Sequence, residues 1–359
     1  MRQDGTKKTT IVDISRAAGL SLSTVSEILN NKTKNTYRKS TKERVLRIAA
    51  ELNYQPNFAA QTLRTQKTLS IGLIVPMLYM ELDELEEACS SRGYIVNLLV
   101  THNNADRQKN CITEIKRRNL DGALIIWPLK NCPALIELTQ NSYPCVICDV
   151  VNNYANSDTF LTDLDGSIVM AMDYLKEFGH SRIALFSNET ISEHSRIRKK
   201  TWKRELLKLG YTSSNNWFFP LESMTYPTEA SIYDTSYRAA KHFLNTYSKN
   251  DAERPTAILA ITDRVAIGII RAFLEEEWSI PNDISVISAE AIDEGRFQHL
   301  SITSVKVHNE ECHLNAMQYL IRKLEHKTDL ANTPTKHTYG IELIKGQTVA
   351  PIAPFHLKS

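Results

Sequence analysis

The chain has 359 residues, 42% of them hydrophobic, with 43 Lys and Arg against 41 Asp and Glu for a net charge of +2. That length allows more than one buried core; no apolar run is long enough for a membrane helix, and the start, MRQDGTKKTT, lacks a signal-peptide core, so a cytoplasmic protein is expected. Residues 1–68 hold 13 of the Lys and Arg and 5 of the Asp and Glu, which leaves 30 and 36 for the rest: a head of +8 on a body of −6 suits a head that binds a polyanion.

The first elements, within residues 9–30, are two short helices joined by a tight turn. Thr10 can cap the first while Asp13 reaches back to a free backbone N–H, and Ile11, Ile14 and Ala18 share one face. Gly19 can take the positive φ of the turn, and Ser21 can cap the second helix. There Val25, Ile28 and Leu29 face inward at helical spacing, leaving Leu22, Ser23, Ser26, Glu27 and Asn30 on or beside the outward face. The pattern predicts a helix-turn-helix whose second helix enters the major groove of DNA; on spacing alone an ordinary αα-hairpin fits as well.

A third helix is predicted from Ser40, with Ser40 and Glu43 as its capping box, Val45, Ile48, Ala49 and Leu52 as its apolar stripe, and Pro56 as its stop. Asn57 can cap a short fourth helix over 58–63, which runs into a basic linker, 64–68.

The pattern Thr10, Asp13, Ala18-Gly19, Ser21, Thr24-Val25-Ser26 and Asn30, then Asn53-Tyr54, Pro56-Asn57, Ala60 and Leu63, resembles the LacI/GalR (lactose-repressor/galactose-repressor) family of transcription regulators. The likeness continues to near Ala350. It implies that Leu22, Ser23 and Glu27 read bases and that Thr24 and Ser26 meet phosphates, with Thr10, Ser21, Asn30, Tyr54 and Asn57 in the same DNA-binding set. It further implies that Leu63 wedges into the minor groove at the centre of the operator, and that Ala60 lets paired hinge helices approach. Two departures stand out. Glu27 is an acceptor where the family commonly has an arginine, so a different half-site is expected; the loop 31–39 is longer than usual, and Lys32, Lys34, Arg38 and Lys39 in or beside it add phosphate contacts.

From Leu69 short apolar runs alternate with helical patterns, the signature of parallel strands joined by crossover helices. Strands are predicted at 71–75, 94–100, 122–127, 146–150, 182–187, 257–261 and 284–288, and Gly93, Gly179 and Gly210 sit where helices should stop. The expected architecture is an N-terminal all-α helix-turn-helix DNA-binding domain (1–56), a hinge helix and linker (57–68), and an α/β core of two doubly wound parallel-sheet lobes (69–359). By the family resemblance this core is like a periplasmic binding protein, crossed three times by the chain, near residue 163, 289–293 and 320–324. Lobe 1 would then hold 69–162 and 292–321, and lobe 2 would hold 163–291 and 322–359.

The six cysteines, Cys89, Cys111, Cys132, Cys145, Cys148 and Cys312, lack paired metal spacing. Cys145 and Cys148 form a C-x-x-C within a predicted strand, where alternation puts them on opposite faces; reduced, mostly buried thiols and no metal are expected.

Ligand-binding residues are expected at the carboxyl ends of the strands. The resemblance matches Arg198, with Trp202 nearby, to the family's sugar- or nucleobase-binding arginine, and Thr262-Asp263 to its Asn-Asp pair. Glu290 stands where an aspartate usually meets ligand hydroxyls, and Asp149 ends its strand with Val150 in place of the usual arginine. The loop after Pro76 is shorter than the family's. Each residue also has a plainer role open to it: Arg198 on a solvated helix face, Asp263 as a helix cap, Glu290 paired with a hinge arginine, Trp202 in the core, His180 in a turn.

The expected function is sequence-specific transcription regulation, as repressor or activator, by a homodimer on a pseudo-palindromic double-stranded operator. A small sugar-like effector between the lobes would favour one closure angle, with a coupling typically about 1–3 kcal/mol. No cofactor, metal or membrane partner is expected, and the tail carries no leucine heptads, which favours a dimer over a tetramer. Two alternatives stay open: a regulator with a non-sugar effector or none, and an enzyme or solute-binding protein on the same core, for which Asp163 and Asp165 are the only nearby acidic pair.

Overall fold

The computed structural model describes residues 9–29, 37–55, 67–78, 82–148, 157–188, 193–211, 215–221, 229–325 and 334–352. The chain forms two compact units, Met1–Thr68 and Leu69–Ser359. Among the described residues no helix is long and apolar enough to cross a membrane.

The head is built from α1 (Ile11–Ala18), α2 (Leu22–Leu29) and α3 (Lys39–Glu51). The Asp13 carboxylate accepts from the Thr10 backbone N–H at 2.9 Å and from its hydroxyl at 2.7 Å, and Gly19 ends α1 at φ 59°. Ile14, Ala18, Val25, Ile28, Val45 and Ala49 form the core, with Tyr37 and Tyr54 packed against it. Each fully buried aliphatic there contributes about 1.5–3 kcal/mol, so this small unit rests on few residues. Thr9 closes it by donating its hydroxyl to the Leu52 carbonyl at 2.8 Å. Three local expectations are corrected. Helix α3 starts one residue before Ser40, with Arg38 as its cap and no side-chain cap bond, so the Ser40–Glu43 box does not form. It ends at Glu51, where Asn53 turns the chain at φ 47°, before Pro56 is reached, and Leu52 is 40% exposed rather than part of the stripe.

The body begins with β1 (Ser70–Val75), α4 (Leu82–Ser90), β2 (Ile95–Val100), α5 (Ala105–Arg117), β3 (Gly122–Ile126), α6 (Pro133–Gln140), β4 (Cys145–Cys148) and β5 (Asp158–Thr162). There follow α7 (Leu164–Glu177), β6 (Ile183–Asn188), α8 (Glu193–Lys208), β7 (Phe218–Leu221), α9 (Glu229–Thr246), β8 (Ala257–Ala260), α10 (Asp263–Glu275), β9 (Ser285–Ser288), α11 (Asp293–Arg296) and β10 (Thr303–Lys306). The last elements are α12 (Asn309–Glu325), β11 (Lys336–Tyr339) and β12 (Glu342–Ile344). One sheet has the order β11-β5-β4-β3-β1-β2 and the other β12-β10-β9-β8-β6-β7. All pairings are parallel except β10 with β12, so each lobe is doubly wound, as the alternating pattern predicts.

Strand alternation separates side chains onto the two faces of the first sheet: Ile71, Leu73, Val75 and Cys148 enter one core, Ile74, Ile147 and Cys145 the other. All six cysteines are buried. Sheet membership also corrects two of the expected crossings. The chain enters the second lobe after Thr162, but β9 is followed by β10 in the same sheet, so it returns only between Lys306 and Asn309. Helix α12 then packs on β3, β4 and β5, and the last crossing falls between Tyr339 and Glu342. The sequence TSVK of β10 is short and half polar, without the apolar run that marks a buried strand, and overlooking it puts both later crossings too early.

Candidate functional site

In the head, Ser21 Oγ accepts from the Thr24 backbone N–H at 3.2 Å and lies 2.8 Å from both Ser23 Oγ and Thr24 Oγ1. This cap sets the start of α2 and gathers three hydroxyls at a helix N-terminus, where backbone N–H groups and the helix dipole favour phosphate. Leu22 is 48% exposed, and Ser21 and Ser23 are exposed beside it, while Ser26 is half-buried. Glu27 accepts a hydrogen bond of 2.6 Å from the Tyr37 hydroxyl, which aims its carboxylate. Tyr37 is a site residue that the sequence pattern did not mark; its only signal is its place in the basic loop before α3. Thr10 is engaged with Asp13, and Tyr54 is half-buried in the core, where burial raises its hydroxyl pKa. Asn30, Asn57, Ala60 and Leu63 lie outside the described residues.

In the body, both sheets reverse their order beside the first strand of the lobe, and the crevice outside the strand ends there is where α/β sheets hold ligands. In the first lobe Trp127 follows β3 directly at φ 49°. Its ring meets His194 of α8 at 5.0 Å and 90°, and His313 of α12 at 5.9 Å and 69°, so the indole reaches from one lobe to the other. Arg198 lies one turn after His194 on α8 and is 6% exposed. Its guanidinium pairs with Oε2 of Glu290, and Asn309 donates its side-chain amide to Oε1 of the same carboxylate at 3.0 Å. Arg198 and Glu290, both expected in the site, are thus brought together, bonded to each other. Neither Trp127 nor Asn309 was anticipated; the signal for Trp127 was an aromatic at a strand's carboxyl end.

Two expected ligand contacts are corrected. Trp202 is fully buried, donates its indole N–H to the Ile183 carbonyl at 3.1 Å and belongs to the second lobe's core, so it does not reach the crevice. Asp263 is 1% exposed, and its carboxylate accepts from Ser304 at 2.6 Å and from the Ile292 N–H at 2.9 Å. Its carboxylate is taken up within the protein; it does not cap α10, whose cap is Thr262, but anchors the loop that carries Glu290. Burial above all, with the Glu290 charge adding, pushes its pKa up to about 6 against the bonds it accepts. Asp149 lies outside the described residues. Of the acidic pair, Asp163 caps α7 and Asp165 is held by Thr201 and Arg204, which leaves both in structural roles. His180 stands in the predicted turn, yet its ring is buried between Thr256 and the Ala350 carbonyl.

Residues 10–57 match the profile of the bacterial regulatory proteins of the lacI family, and residues 172–349 match that of the periplasmic binding protein-like domain. The head is that of a lacI-family regulatory protein. The chain is 27% identical over 349 residues to the HTH-type transcriptional repressor PurR of Haemophilus influenzae, covering 96% of this chain and 99% of that one. Its fold is that of the Lac repressor dimer bound to operator and the anti-inducer ONPF, with a TM-score of 0.76 at 20% identity over 96% of this chain and all of the other. It is also similar to a LacI-family regulator from Enterococcus faecium with bound ribose, at a TM-score of 0.63 and 19% identity over 79% of this chain and all of the other. The protein is a DNA-binding transcription regulator built from a helix-turn-helix head and a two-lobed body.

Proposed function

We propose that this regulator is a cytoplasmic repressor that binds a pseudo-palindromic operator as a homodimer, and that a small sugar-like effector between the lobes of the body controls it. The observation that carries the effector reading is the cluster of Arg198, Glu290 and Asn309, with Trp127 of the first lobe against His194, one turn before Arg198 on α8. Buried polar groups beside an aromatic edge, in a crevice between two hinged sheets, are what a small polar ligand needs. The repressor name of the Haemophilus relative, the operator-bound dimer of the Lac repressor and the ribose of the Enterococcus regulator point the same way. In the head, Leu22, Ser23 and Glu27 are the base-reading residues, Thr24 and Ser26 contact phosphates, and twofold symmetry places two half-sites about one helical turn apart.

The experiment selects bound duplexes from a random pool with the full chain and then repeats binding to the selected site with a panel of monosaccharides, sugar acids, sugar phosphates and purines. A palindromic site whose affinity changes at least about fivefold with one panel member is expected, the low end of ordinary allosteric coupling. Selection of a single half-site would refute the dimer, and a panel without effect would refute the small-molecule reading.

A further inference from the structure

The Arg198 guanidinium has no uncompensated charge to offer an incoming ligand. Its side chain is 8% exposed and that of Glu290 15%, so their ion pair lies away from bulk water. Both carboxylate oxygens are engaged, one by Arg198 and the other by Asn309 at 3.0 Å. Glu290 is fixed from behind as well: its backbone carbonyl accepts from the Asp263 N–H at 3.1 Å, and its own N–H donates to Ser288 Oγ at 3.3 Å. A glutamate at this point carries its carboxylate one methylene further from the backbone than an aspartate would, and here that carboxylate sits on the guanidinium. The two buried polar atoms of this group that lack a partner among the described residues are Arg198 Nε, a donor, and Asn309 Oδ1, an acceptor. One donor and one acceptor beside a balanced charge pair complement an uncharged ligand, whereas a second anion brought to the same face meets the Glu290 carboxylate in a desolvated setting, where like charges repel strongly.

We infer that Glu290 is a specificity-determining residue of the crevice: it occupies Arg198 from within the protein and excludes anionic effectors such as sugar acids and phosphate esters. This rests on the effector reading above and narrows it to uncharged ligands.

The test measures thermal unfolding of the full chain against inorganic phosphate at constant ionic strength, for the wild type, E290Q and E290Q/R198A. Glutamine keeps the shape of the side chain and an acceptor for Asn309 while removing the charge. E290Q is expected to bind phosphate at least about tenfold more tightly than the wild type, with the gain lost in E290Q/R198A, which reports the phosphate held elsewhere, notably by the basic head. If E290Q gives no cooperative transition, E290D, with the charge drawn back by one methylene, is expected to show a smaller gain of the same kind. An equal phosphate response in wild type and variant, or a gain that survives R198A, overturns the inference. Failure of the effector reading looks different: no member of the ligand panel shifts the wild type, whatever E290Q does with phosphate.

Discussion

Replacing Asp263 by asparagine is expected to stabilise the body near neutral pH and to remove one part of its pH dependence. The folded-state pKa of Asp263 is about 6 against an ordinary 3.8, a rise caused first by burial. The folded state therefore binds more protons than the unfolded chain between these values. The stability this group contributes is complete below 3.8 and is lost as pH rises through 6. A rise of about two units at about 1.4 kcal/mol each makes the ionised carboxylate a burden of about 3 kcal/mol at pH 7. Asparagine keeps an oxygen for the Ile292 N–H and presents an amide to Ser304, whose hydroxyl can accept as well as donate. The assay is urea unfolding of Asp263→Asn and wild type between about pH 4 and 8, followed by tryptophan fluorescence; all four tryptophans, at 127, 202, 217 and 278, report on the body. His180 works in the opposite sense, since burial lowers its pKa and its contribution fades as pH falls below the ordinary histidine value, but it is common to both chains and cancels in the difference. A stability difference that does not grow across that pH range would refute the reasoning.

Ile14→Ala in the head removes a fully buried side chain from a six-residue core, at about 2–5 kcal/mol. DNA binding should be lost while the tryptophan-monitored transition of the body stays in place, and a shift of that transition would show that the units do not unfold separately. Tyr37→Phe deletes the hydroxyl that aims Glu27, a bond to a charged group worth about 1.5–3 kcal/mol before solvent screening. Selection from random duplexes should then return a weaker preference at the base facing Glu27, and an unchanged preference would show that Tyr37 does not set it.

What could be read from the sequence was mostly local. The Thr10–Asp13 bonds, the left-handed Gly19, the Ser21 cap and the apolar runs of β1, β3, β6, β8 and β9 each depend on residues a few positions apart, and all are found. The segments that escaped, DTFLT, FFPL, TSVK, KHTY and ELI, are short or mixed in polarity, and three of them include strands at sheet edges, where one side faces no neighbour. In the site, Arg198 and Glu290 could be singled out one by one, but their pairing joins residues 92 positions apart and rests on how a loop is anchored by Asp263. Asn309 offered no signal, because its role follows from a crossing that the unrecognised β10 had displaced.

The closing stretch of the chain serves both lobes: β11 completes the edge of one sheet and, two residues later, β12 completes the edge of the other. On a ribosome neither lobe can finish before its neighbour. Until Lys336–Tyr339 and Glu342–Ile344 emerge, β5 and β10 remain unpaired on one side, two open strand edges on a single nascent chain. The body thus commits to its final form only once both strands have emerged, and a message broken shortly before this stretch yields two exposed edges prone to association, instead of one sound lobe and one damaged one.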